Sequence, residues 1–176
     1  MRVGRLGIEN KTEQAKVEGG EEVEDFKLTI ELVPETCWYS NLRSKMSNED
    51  WDRLRRSTYA AYHYKCGICG KGNTQLHCHE IWEYDGKKRI QSLKGFIALC
   101  VMCHHVKHIG LAGILANEGK LDFEDVIRHF MKVNSCDEQA FREHYDDAFE
   151  IWNRRSAVRW KVDLQQYKSL IEGRER

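Results

Sequence analysis

Apolar and polar positions alternate from Phe26 to Leu32, with Phe26, Leu28, Ile30 and Leu32 on one side. That period predicts a β-strand, ended by Pro34. After Ser47 the period changes. Trp51, Leu54, Thr58, Ala61 and Tyr62 recur at helical spacing, with Ser47 as N-cap and Glu49 and Asp50 in the first turn, so a helix is expected from 47 to about 64. Leu76 to Tyr84 reads as a strand, Asp85-Gly86 as a hairpin turn, and Lys87 to Leu93 as the returning strand. A short helix is predicted from Cys100 to His108, with Gly110 as its cap. Asp122 opens another helix, to about Val133, and Asn134-Ser135-Cys136-Asp137 breaks it. Residues 137–156 then carry Phe141, Tyr145, Ala148, Phe149 and Trp152 at helical spacing, the stripe of a long amphipathic helix that packs into the core. Trp160, Val162 and Leu164 alternate again, as a short extended segment. Residues 1–25, acidic and marked by Gly19-Gly20, read as a weakly ordered arm.

Composition refines this outline. The 176 residues are 41% hydrophobic and 32% charged, the balance of an ordinary globular chain. No apolar run approaches the roughly 18 residues that a membrane helix needs, and the first residues hold no signal-peptide core. A cytoplasmic protein without a membrane partner is expected. Net charge is zero, yet residues 36–120 carry 13 basic and 7 acidic side chains between two net-acidic flanks. A basic centre favours a polyanionic partner such as nucleic acid; uneven surface charge without function is the plainer explanation.

Four of the seven cysteines form two Cys-x-x-Cys pairs, Cys66/Cys69 and Cys100/Cys103, thirty residues apart. Zinc takes four tetrahedral ligands, often as two such pairs, so these four predict a structural Zn²⁺ that pins the hairpin to the helix after it. Redox motifs are the competing reading, but no βαβ pattern surrounds them. Five histidines fall between 77 and 108. His77 and His79 lie on the first hairpin strand. His104 and His108 are four apart and share a helix face. Neutral imidazoles at that spacing make a bidentate metal site, which His79 could complete; surface polarity alone is the alternative. Cys78 points away from its neighbouring histidines by strand alternation, and Cys37 and Cys136 read as structural or free thiols. Trp82 and Tyr84, further along the hairpin, are candidates to stack on a base or sugar.

The order Cys66-x2-Cys69, Leu76-x-x-His79 on a hairpin strand, then Leu99-Cys100-x2-Cys103-His104-x2-Lys107-His108 resembles the HNH endonuclease superfamily with a zinc-ribbon support. The matching stretch is about 63–110. The resemblance implies an α+β chain with a ββα-metal (HNH/His-Me finger) core at 63–110 and a structural zinc. Around that core stand the arm at 1–25, a strand and helix at 26–62 and a helical region at 111–176. It implies a DNA endonuclease whose catalytic divalent metal (Mg²⁺, Mn²⁺ or a transition ion) is held by His79, His104 and His108. The family's water-activating histidine follows the strand ligand; here Glu80 stands there. The family's asparagine is replaced by Gly95. Glu80 is expected to serve as base, with His77 and His105 as further candidates, and Lys87, Lys88, Arg89, Lys94 and Lys107 as phosphate contacts. A single centre nicks one strand, so paired cuts imply a homodimer, for which the helix at 137–156 is a candidate surface. The second reading is a degenerate relative that keeps its zinc frame and binds nucleic acid or a protein without cleaving.

Overall fold

The computed structural model describes residues 26–40 and 42–169; the expected arm at 1–25 lies outside them. Their architecture is α+β, with five α-helices and one three-stranded sheet in the order β1-β2-β3. Strands β1 (Leu76–Asp85) and β2 (Ile90–Cys100) form an antiparallel hairpin, and β3 (Lys161–Asp163) joins β2 in parallel, Ile90 opposite Lys161. The hairpin turn is longer than a two-residue Asp-Gly turn. The Asp85 carboxylate accepts from the Lys87 and Lys88 N–H groups at 3.0 and 2.9 Å, and Arg89 takes a left-handed φ of 54°. The returning strand therefore starts at Ile90, not Lys87. Its register shifts between Ile81 and Trp82, which leaves Lys94 as the extra residue of a bulge beside Gly95.

Helix α1 (Asn48–Ala61) begins where the cap residue demands: Ser47 Oγ accepts from the Asp50 N–H at 2.9 Å. Helices α4 (Phe123–Asn134) and α5 (Glu138–Ser156) start in the same way, on the carboxylates of Asp122 and Asp137. Between α4 and α5, Ser135 adopts the left-handed conformation that reverses the chain. Helix α5 buries Phe141 and Ala148 within its own chain.

Two expectations fail. Residues 26–33 are extended but pair with no strand. Their backbone is held by side chains: Asn134 grips Leu28 on both its N–H and C=O (2.9 and 2.8 Å), and His144 Nε2 accepts from the Ile30 N–H at 2.9 Å. The Glu31 N–H donates to the Lys107 carbonyl. Alternation was read correctly as one buried side, since Leu28 and Ile30 are buried, but those partners satisfy the backbone without a sheet. Nor does Gly110 cap α2 (Val101–Lys107). It lies in a further helix, α3 (Ile109–Asn117), which His108 joins to α2 at φ −106°, ψ 53°. Burial of Ile109 and Ala112 outweighs the roughly 1 kcal/mol that glycine costs a helix.

One core joins Leu28, Leu99, Val106, Ile109, Val126, Phe130 and Phe141, so it binds the extended segment, β2, α2, α3, α4 and α5 together. A second, around Leu42, Met46, Leu93 and Leu164, seats α1 and Trp82 on the hairpin's other face. Among the described residues no helix is long and apolar enough to cross a membrane.

Candidate metal centres

Cys66 and Cys69 sit on a tight turn before β1. The Gly70 N–H bonds the Cys66 carbonyl at 2.9 Å, and the Gly67 N–H bonds the Ala98 carbonyl of β2 at 2.7 Å. Glycine is needed at 67, because a Cβ would fall 2.5 Å from a Tyr62 ring carbon and 2.8 Å from the Ile97 side chain. Cys100 ends β2 and Cys103 lies in the first turn of α2. The four sulfurs lie within 4.8 Å of one another, with Cys69 and Cys100 at 3.6 Å. Tetrahedral metal–sulfur bonds of about 2.3 Å require sulfurs about 3.8 Å apart, so the cluster could hold a structural metal ion. None of the seven cysteines, all among the described residues, forms a disulfide.

The electrostatics agree with a cation. Hydrogen bonds from the Cys100 and Cys103 thiols push the Cys66 thiol strongly down. Hydrogen bonding with Cys100 and Cys66, together with burial, pushes Cys103 strongly up. A dication there would let all four sulfurs ionise. Next to them lies a residue that the sequence did not single out: His129 of α4 places Nε2 3.1 Å from Cys103 Sγ. Donation from such a group to a ligating sulfur orients it and offsets its charge.

The second group comprises His79 of β1, His104 of α2, and His108 at the α2–α3 junction. One nitrogen from each lies within 4.8 Å of the others, so this trio could also hold an ion. Helical spacing brings His104 and His108 together, with ring centroids 4.7 Å apart, and β1 brings His79 against both at 5.6 and 4.9 Å. His79 is buried, at 6% exposure. Burial first, then the neighbouring imidazoles, lower His104 to about 2 and His108 to about 4. Both are therefore neutral at pH 7, with a lone pair available for a metal.

His77 stands beside the trio, its Nδ1 3.1 Å from His104 Nδ1, and burial lowers its pKa. His105, also lowered by burial, is partly exposed on α2. Glu80 is placed differently. Strand alternation puts it on the other side of β1 from His79. Its carboxylate accepts from the Leu42 N–H at 2.8 Å and from Trp82 Nε1 at 2.9 Å. Burial raises its pKa against those two bonds. Cys78 likewise turns from the histidines, toward Thr58 of α1 at 3.6 Å.

Of the five expected phosphate contacts, Lys87, Lys88 and Arg89 are exposed at the hairpin tip, where Lys88 pairs with Asp85 at 3.4 Å. Lys94 is exposed and pairs with Glu83 at 2.8 Å. Lys107 is not on the surface: 7% exposed, it donates to Glu31 and, at 2.9 Å, to Thr29 Oγ1. It faces inward because α2 turns that side toward the extended segment.

Glu31 is the second residue the sequence did not single out. Its carboxylate lies 3.4 Å from His79 Nε2 while holding Lys107. Partial desolvation opposes ionisation, yet the hydrogen bond with His79 and the Lys107 ammonium hold the carboxyl down to about 2. A carboxylate behind an imidazole fixes the ring's orientation and tautomer. In the sequence Glu31 is only the polar partner in an alternating run.

No protein family, curated protein or solved structure matches the chain, so the functional reading rests on these two centres.

Proposed function

We propose that this chain is a metal-dependent endonuclease that hydrolyses phosphodiester bonds in DNA. In this reading β1, β2 and α2 form a ββα-metal core of the HNH type, held together by a structural Zn²⁺ on Cys66, Cys69, Cys100 and Cys103. Four thiolates without an oxygen ligand suit zinc better than harder cations. The observation that carries the reading is the convergence of His79 with His104 and His108, strand against helix, beside a four-sulfur cluster drawn from the turn before β1, the end of β2 and the first turn of α2.

The trio would hold the catalytic cation, Mg²⁺, Mn²⁺ or a transition ion; three imidazoles favour the last. Such an ion supplies Lewis-acid stabilisation of charge on the phosphate and the leaving oxygen. Glu31, 3.4 Å from His79 Nε2, would orient that ring for the ion. His77 replaces Glu80 as the preferred general base. It stands beside the trio with Nε2 free to take a proton from the attacking water, whereas both Glu80 oxygens already accept hydrogen bonds. Lys87, Lys88 and Arg89 are the surface contacts for flanking phosphates.

Glu80's engagement also favours the second reading, a degenerate module that binds nucleic acid or a protein without cutting. So does Gly95, which offers no side chain at the bulge. Supercoiled plasmid incubated with the zinc-loaded chain separates the two. Nicking is expected with at least one of Mg²⁺, Mn²⁺ or Ni²⁺, none with EDTA, and none for His79→Ala. Glu80→Gln should retain activity within about tenfold, and His77→Ala should lose about 10²-fold or more. DNA binding without nicking in any metal would favour the degenerate module and rule out the enzyme.

A further inference from the structure

The imidazole trio is set into the surface, with His79 buried and His104 and His108 partly exposed. It lies in a cleft of about 660 Å³, also lined by Trp51, Trp82, Tyr84 and Arg155. An adjoining cavity of about 610 Å³ shares His104, His108 and Trp82 with it and reaches Gln91. Both are lined mainly by apolar side chains, and each is the size of a site for one small ligand. A groove for intact duplex would instead be wide, shallow and basic.

Two polar groups in these walls lack a complement. Arg155, at the end of α5, is partly buried, with its guanidinium 4.2 Å from the Tyr84 ring centroid; Glu31 of the same cleft attracts it, but no carboxylate of the described residues forms an ion pair with it. A partly desolvated guanidinium with no carboxylate in contact can receive an anion. Gln91 is 2% exposed. Its Nε2 bonds Tyr84 Oη at 3.1 Å, and its Oε1 has no partner. Whichever way the amide is turned, one end stays unbonded. The two groups flank the same tyrosine, and Trp82 lines both cavities.

Resting on the nuclease reading above, we propose that this cleft takes one unpaired nucleotide of a single DNA strand. Its phosphate lies on Arg155, its base packs against Trp82, which the cleft shares with the adjoining cavity, and the free end of the Gln91 amide in that cavity bonds the base edge. A stacked, paired base cannot enter a cleft of this size; an unpaired one can. Aromatic packing and one amide contact tolerate every base, so the site selects strandedness over sequence. The preferred substrate is then a single strand, a flap or a frayed end.

The test measures binding, apart from cleavage. Fluorescein-labelled oligothymidylate and a blunt duplex of equal length are titrated by anisotropy with the full zinc-loaded chain, without added divalent cation. The single strand should bind about tenfold tighter or more, and thymidine 5′-monophosphate should compete. Arg155→Met should weaken single-strand binding about tenfold, the loss of one charge-assisted contact, and leave duplex binding at the hairpin tip unchanged. Equal affinity for the two probes, or an Arg155→Met chain that binds like wild type, overturns the proposal. Zinc content and thermal midpoint report whether that variant folds. If it does not, Arg155→Lys decides, because lysine cannot reproduce a stacked guanidinium: weaker binding supports the pocket and unchanged binding overturns it. Arg155-dependent binding without any plasmid nicking would uphold the pocket while removing the nuclease. Nicking with an indifferent Arg155→Met would do the reverse.

Discussion

Glu31 ties three parts of the molecule together through one carboxylate. It leaves an extended segment, reaches the ammonium of Lys107 on α2, and lies 3.4 Å from His79 on β1. Replacing it with Gln keeps the shape and removes the charge. Expected is a metal affinity at the imidazoles reduced about 10-fold to 100-fold, the usual effect of losing an outer carboxylate, with the zinc content of the cysteine cluster unchanged. Calorimetric titration of the zinc-loaded chain with Mn²⁺ or Ni²⁺ measures this, and an affinity equal to wild type would show that Glu31 serves Lys107 alone. His144 supports a second prediction at this scale. Its Nε2 accepts the Ile30 N–H, and burial holds its pKa below the ordinary value. Above about pH 6.5 the ring is neutral in both the folded and unfolded chain and adds no pH dependence. Below that, the unfolded chain takes up a proton that the folded chain resists, so stability falls as pH falls. Chemical denaturation of wild type and His144→Gln at about pH 7.5 and pH 5.5 should show the smaller loss in the variant; equal losses would dismiss the effect.

At the scale of elements, the helices with a side-chain cap were legible. Ser47, Asp122 and Asp137 each fix a start within a residue of the expected position, because the cap bond is local and needs no tertiary partner. Asp137→Ala should therefore cost about 1 kcal/mol in urea unfolding without loss of zinc; no change in the unfolding midpoint would mean that the apolar stripe of α5 alone sets its start. Helix α2 has no side-chain cap, yet it was expected and is present; α3 and the segment 26–33 were misread. Helix α3 has no side-chain cap and contains two glycines, and its partners, Leu32 among them, arrive from far along the chain. The segment 26–33 alternates as a strand does, but alternation records only which side is buried. Whether a neighbouring strand or a set of Asn, His and Lys groups takes the backbone hydrogen bonds is settled elsewhere in the molecule.

For the whole molecule, the cysteine cluster occupies the place where hairpin, α2 and α4 meet. Cys66, Cys100 and Cys103 are buried in the principal core beside Leu99, Val106 and Phe130. An ion there contributes to folding and not only to local shape, since four thiols crowded without a cation repel on ionisation. A strong chelator should therefore lower the thermal midpoint and remove helical ellipticity, and zinc should restore both. Unchanged circular dichroism in the metal-free chain would place the stability wholly in the apolar packing.

The sequence by itself determined the two cysteine pairs, the His-x3-His spacing on a helix, and three of the helix starts, because each is set by neighbours within a few positions. It also determined that His77 and His79 share one strand face and that Cys78 points away from both. Only the tertiary structure decided which of the basic residues are surface groups: Lys107 reads like Lys87 in the chain, yet one is buried against Glu31 and the other lies at an exposed turn. The same holds for Glu31, His129 and Arg155, whose chemistry depends on partners 26 to 76 positions away. A residue's spacing from its neighbours is written in the chain, but the water it loses and the charge it meets are fixed only when distant segments pack.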